Sequence, residues 1–132
     1  MAPHVETFTP EGSPALIGPY SHIAKVGDNI TIGGLGGVDP QTGTVPSDDV
    51  YAQTVQLLRN FEALLKTVGS DLDHIVHIQV FLADMDDFDR MNEAYISVIE
   101  THRPARTVIA AKELPKPTFK VLMNLTAVTA DG

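Results

Sequence analysis

Residues 74–82 read His74-Ile75-Val76-His77-Ile78-Gln79-Val80-Phe81-Leu82, a run without glycine, proline or carboxylate. β-Branched side chains are frequent in it, and it is too short for a helix of its own, so it is expected as a strand. The two-residue period puts Val76, Ile78, Val80 and Leu82 on one face and Ile75, His77, Gln79 and Phe81 on the other. Neither face is cleanly polar.

The flanks of this run carry a different period. Upstream, over roughly 48–68, Leu57, Leu58, Phe61, Leu64, Leu65 and Val68 recur three and four apart, which predicts a helix with one apolar face. Ser47, Asp48 and Asp49 supply cap candidates and negative charge at its start, and Gly69 can end it in a left-handed turn. Downstream, from about Asp86 to Glu100, Phe88, Met91, Tyr95, Val98 and Ile99 form a second helical stripe. Ile30–Gly33, Thr107–Ala111 and Lys120–Val128 read as further strands. His22–Val26 reads as a weaker one, joined to Ile30 by a Gly27-Asp28-Asn29 turn.

The order strand, strand, helix, strand, helix, strand, strand predicts an α+β sandwich: one sheet with two helices on one face, in a single domain over residues 1–132. The last strand repeats the two-faced pattern, Val121, Met123, Leu125 and Ala127 opposing Lys120, Leu122, Asn124, Thr126 and Val128. Two helices cover one sheet face only. The other is covered either by loops and the N-terminal segment or by a second subunit, and the subunit is the favoured expectation.

The 132 residues fit one compact core, and 43% of them are hydrophobic. Nine basic against seventeen acidic residues leave a net charge of -8, the wrong sign for replacing phosphate counterions, so no nucleic-acid partner is expected. The absence of cysteine removes disulfides, thiol nucleophiles and zinc-thiolate sites. No run is apolar and long enough for a membrane span, and Met1–Ser13 lacks a basic and then apolar leader pattern. A cytoplasmic protein without membrane association is expected.

Few residues advertise chemistry. Asp84, Asp86, Asp87 and Asp89 cluster at a helix start and read as solvated caps. His74 and His77, three apart on a strand, point to opposite faces and make poor joint metal ligands, so no metal site is expected. Gly33-Gly34-Leu35-Gly36-Gly37 lacks the lysine and following helix of a phosphate loop and reads as a place of close backbone approach. In Thr101-His102-Arg103-Pro104-Ala105-Arg106-Thr107, Arg103 reads as compensation of the helix dipole. Arg106 opens an apolar strand. A half-buried guanidinium there needs an anionic partner, which is either internal or a ligand carboxylate held by two parallel hydrogen bonds.

Five ordered motifs resemble the RidA/YjgF family, the reactive-intermediate deaminases also known as L-PSP endoribonucleases. They are Gly18-Pro19-Tyr20-Ser21; Gly33-Gly34 followed by Asp39-Pro40-Gln41-Thr42-Gly43; Asp87-Phe88 with Met91-Asn92-Glu93-Ala94-Tyr95; Arg103-Pro104-Ala105-Arg106-Thr107; and Leu114-Pro115-Lys116. The resemblance implies a chorismate-mutase-like fold and a homotrimer whose sheets face a central barrel, with ligand clefts between subunits. It implies hydrolysis of 2-imino and 2-enamino acids to 2-keto acids and ammonia, without metal or cofactor. Arg106 matches the arginine that clamps the substrate carboxylate, and Tyr20 the tyrosine of the Gly-Pro-Tyr motif; these two are the expected catalytic residues. Gly34, Asn92 and Val108 match positions that line the cleft.

One departure stands out. Where the family's deaminases place a water-orienting glutamate on the last strand, this chain has Leu122, and no glutamate follows Glu113. The resemblance therefore implies a deaminase that is slow or takes an altered substrate. The reading from another class is a non-catalytic sensor of small carboxylate-bearing metabolites, built on the same cleft.

Overall fold

The computed structural model describes residues 4–131. Six strands, β1 (Glu6–Phe8), β2 (Ile23–Val26), β3 (Asn29–Gly36), β4 (Ile75–Leu82), β5 (Ala105–Ala110) and β6 (Val121–Val128), form one sheet in the order β1-β2-β3-β6-β4-β5. All neighbours are antiparallel except β4 and β5, which run parallel across a connection containing helix α2 (Phe88–Val98). Helix α1 (Val50–Thr67) links β3 to β4, and β6 inserts between those two strands. This mixed sheet with two helices is the expected fold class.

The helices form because their apolar spacing gives each one a face to bury. Leu57, Leu58, Phe61 and Leu65 of α1 and Met91 of α2 are fully buried against Ile32, Ile78, Met123 and Leu125 of the sheet. The opposite sheet face is only half covered: His77, Gln79, Phe81, Leu122 and Asn124 are partly exposed, and Ile109 of β5 is 48% exposed. Among the described residues no helix is long and apolar enough to cross a membrane.

The sheet corrects several expectations. Strand β1, three residues without a pattern long enough to read, pairs with β2. β3 runs on through the glycines to Gly36, because an extra residue between Ile32 and Leu35 bulges the ladder and lets pairing resume at Leu35 with Met123. A second irregularity lies between Ile75 and His77, where β4 advances two residues for one on β6. It reverses the expected faces there: Ile75 is buried, and Val76 is 51% exposed. His74 precedes β4 in a short 3-10 turn. β5 begins at Ala105, so Arg106 lies inside the strand and does not open it.

Helix α1 is anchored at its start by one carboxylate with two duties. Asp49 Oδ1 accepts the Tyr51 backbone N–H at 3.2 Å, capping the helix. Both carboxylate oxygens accept from Arg90 of α2, at 2.7 Å from Nε and 2.8 Å from Nη2. Gly69, with φ at +77°, ends the helix, and the Ser70 N–H returns to the Leu65 carbonyl at 2.9 Å.

The Arg90 guanidinium, aided by the Tyr51 amide, holds the Asp49 carboxyl down from an ordinary 3.8 to about 2. A carboxyl depressed in the folded state stabilises the fold above its ordinary value and loses that contribution as pH falls through the folded one. Asp49→Asn, which keeps the cap but not the charge, is expected to lower the urea midpoint at neutral pH. That deficit should shrink between about pH 4 and pH 2. A deficit unchanged at the acid end contradicts the assignment.

Candidate functional site

The chain gathers the expected site residues into two groups. The first lines a cavity of about 670 Å³, bounded by Pro14–His22, the glycines of β3, the Gly43–Val45 loop and the Pro115–Phe119 segment before β6. Leu122 lies opposite in the pleat to the buried Val121 and Met123, so it faces this cavity and not the helices. Gly34 sits against it: a Cβ there would lie 3.1 Å from Leu122 Cδ2.

Tyr20 reaches the cavity on a loop that closes on itself. Its hydroxyl oxygen accepts the Ile17 N–H at 3.2 Å, and its own N–H donates to the Gly18 carbonyl at 3.1 Å. Because the oxygen accepts from an amide, its hydrogen remains free to donate. The ring meets His22 edge-on, with centroids 6.1 Å apart. His22 is buried, and its Nε2 lies 2.6 Å from the Pro14 carbonyl. A carbonyl only accepts, so Nε2 carries the hydrogen and Nδ1 is left a buried acceptor with no partner. His22 therefore ties the start of the loop to the sheet, a role no sequence signal announced.

The second group stands at the β5 edge of the sheet. Arg106 pairs in register with Ile78, so its side chain leaves the sheet on the helix side and lies over α2. Its guanidinium carbon is 4.9 Å from the Tyr95 ring centroid and 6.0 Å from that of Phe88. Burial pushes the Tyr95 hydroxyl up from its ordinary value, and the Arg106 charge opposes the shift. Among the described residues no carboxylate pairs with Arg106. Asn92, four residues after Phe88 and three before Tyr95, belongs to the same helix face, and its Oδ1 is buried without a partner. Val108, in register with Val80, is half-buried against the core.

Arg106, Asn92 and Val108 do not line the cavity that holds Tyr20 and Gly34. Within one chain the two groups are separate.

Several other candidates have structural partners of their own. Arg103 donates to the carbonyls of Ile99, Glu100 and His102 and so closes the end of α2. Asp84 caps the turn before α2 through the Asp86 N–H. His74 bonds Asp71 and His77 bonds Thr107, so the two histidines have separate partners.

Residues 11–129 match the family model described as Endoribonuclease L-PSP. The chain belongs to this family. A RutC family protein of Pyrococcus horikoshii is 37% identical over 123 residues, which span 93% of this chain and 95% of the relative. The 2-iminobutanoate/2-iminopropanoate deaminase of Mus musculus is 38% identical over 104 residues, 79% of this chain and 77% of that protein. The crystal structure of the Escherichia coli YjgF gene product superposes with a TM-score of 0.86 at 36% identity, covering 93% of this chain and 98% of that one. These relatives bear out the RidA/YjgF resemblance, and imine deaminases are among them.

In this member the cavity floor hangs on Gln53 of α1, which is fully buried. Its Nε2 donates to the Ser47 and Thr118 carbonyls at 2.8 and 3.0 Å, and its Oε1 accepts the Lys120 N–H at 2.8 Å. Gln53→Leu keeps much of the volume and leaves those backbone groups unpaired. It is expected to cost about 2–4 kcal/mol in urea unfolding. A loss under about 0.5 kcal/mol would show that water replaces the amide.

Proposed function

We propose that the chain hydrolyses 2-imino or 2-enamino acids to 2-keto acids and ammonia, in the cytoplasm and without a cofactor, at clefts shared between the subunits of a homotrimer. The observation that carries this reading is the Arg106 guanidinium at an open sheet edge, without a carboxylate partner among the described residues. Its parallel N–H groups suit a carboxylate. The deaminase relatives support the reaction, and the half-covered sheet face supports assembly through that face.

In this reading Arg106 of one subunit clamps the carboxylate of a ligand seated in the Tyr20 cavity of the next. Tyr20 gives its hydroxyl proton to the imine nitrogen, and water adds to C2. Water's first proton returns to the Tyr20 oxygen, which passes it to the nitrogen of the resulting carbinolamine; ammonia then leaves as the hydroxyl proton goes back to that oxygen, which yields the keto acid. With Leu122 in place of an acid, no carboxylate of the last strand orients the water. A protonated imine is a strong electrophile, and holding it in place supplies much of the acceleration. The sensor reading rests on Leu122 alone. A net charge of -8 weighs against cleavage of RNA.

Imines released by an amino-acid oxidase are expected to disappear faster when the protein is added. Arg106→Ala should lose this effect, and Arg106→Lys should lower kcat/KM roughly ten- to a hundredfold, because an ammonium lacks the planar fork. No acceleration across a varied amino-acid panel, or unchanged rates in Arg106→Ala, overturns the assignment.

The shared cleft has its own test. Tyr20→Ala and Arg106→Ala proteins, each inactive alone, should regain part of the activity when co-refolded, since a mixed contact can hold one cleft with both native residues. Light scattering that reports an active monomer refutes the shared site. So does a lack of complementation in confirmed mixed trimers.

A further inference from the structure

We infer that the Tyr20–Leu122 cavity selects 2-imino acids with a bulky apolar side chain, branched or aromatic, over those of small or acidic amino acids. The inference rests on the deaminase reading and adds the substrate class to it.

Size is the first ground. At the roughly 30 Å³ that a heavy atom of liquid water occupies, the six heavy atoms of a three-carbon imino acid fill about 180 Å³. The twelve heavy atoms of the phenylalanine-derived imine fill about 360 Å³ on the same scale. The cavity measures about 670 Å³, which admits the larger ligand together with a guanidinium from a second subunit and a few waters. A small ligand would leave apolar wall without partners.

The wall chemistry is the second ground. Ile17, Leu35, Val38, Val45, Phe119 and Leu122 line it, and among the described lining residues the one charged side chain is the exposed Lys116. His22 offers little to a polar head group, since its Nε2 is taken by Pro14 and its Nδ1 is sealed from solvent. Tyr20, Ser21, Thr44 and Thr118 add hydroxyls, but most of the wall is apolar, and a serine hydroxyl or glutamate carboxylate set against that part would be stripped of water without a matching partner.

Leu122 and the glycines set the shape. Gly33 has open space where a Cβ would stand, and the Gly34 position abuts the Leu122 side chain. At Gly36 a Cβ would come within 2.5 Å of the Phe119 ring, so the ring lies flush on the strand. The leucine that replaces the family's acid thus also adds apolar contact at the floor. Each methylene that finds such a wall improves binding by about tenfold or more.

Binding of the product keto acids tests the selection apart from catalysis. Titrations followed by calorimetry would use pyruvate and the keto acids of glutamate, leucine and phenylalanine. The last two are expected to bind at least about tenfold more tightly than the first two. Gly34→Ala, which narrows the floor at a site where the flexible Leu122 end can yield, should reduce that ratio, and Leu122→Glu should reduce it further. If Leu122→Glu does not fold, Gly34→Ala decides. Equal or reversed affinities in the native protein overturn the inference, as does an unchanged ratio in a folded Gly34→Ala. Apolar preference in binding without imine hydrolysis supports the selection and overturns the deaminase reading. Hydrolysis without apolar preference does the reverse, and no binding of any of the four overturns both.

Discussion

The carboxamide of Gln53 joins parts of the chain that no helix or strand ladder connects. Buried in the first turns of α1, it bonds the loop before its own helix through Ser47 and the segment before β6 through Thr118 and Lys120. A buried amide with unmatched donors is costly, so these partners fix one another's positions. Phe119 is held between Thr118 and Lys120, and its ring lies where a Gly36 side chain would otherwise stand. Gly37 meets the Gln53 backbone so closely that no Cβ fits there at all. The glycine run after Ile32 is therefore a packing requirement at its end and free space at its beginning, where Gly33 faces nothing within 4 Å.

Much of the architecture was legible because it rests on periods of two and of three to four residues. Both helices, the fully buried stripe of β6 and the cap at Asp49 follow from spacing and side-chain chemistry alone. The two bulges were not legible. Whether an extra residue is looped out at Val76 or at Gly33-Gly34 depends on the strand alongside, which the local pattern does not contain. The three residues of β1 carry too little pattern to register. In the site, Arg106 announced itself as a cation on an apolar strand, but its seat over Tyr95 required knowing that β5 lies parallel to β4 beside α2. The buried His22 anchor and the Phe119 floor left no local signal, since each depends on a contact distant in sequence.

The edge position of β5 explains how a cation stays available in an acidic protein. With seventeen carboxylates in the chain, an unclaimed guanidinium invites internal pairing. Arg106 is spared because the ring faces of Tyr95 and Phe88 hold it, and aromatic faces attract the charge without using its N–H donors. Arg90, over Tyr51, has the same kind of seat but lies within reach of Asp49 and is committed to structure. Two arginines on aromatic rings differ in role because only one has a carboxylate beside it.

The Ile17 amide that bonds the Tyr20 oxygen has a consequence for aim. A hydroxyl oxygen that accepts a backbone N–H is fixed in place, and only rotation about the C–O bond is left to its hydrogen. Here the donor stands 3.2 Å away, three residues back on the same loop. Ile17 and Tyr20 both line the cavity, so the segment that shapes part of the wall also sets the point from which the hydroxyl acts. A change in the backbone of residues 17–20 would move wall and hydroxyl together.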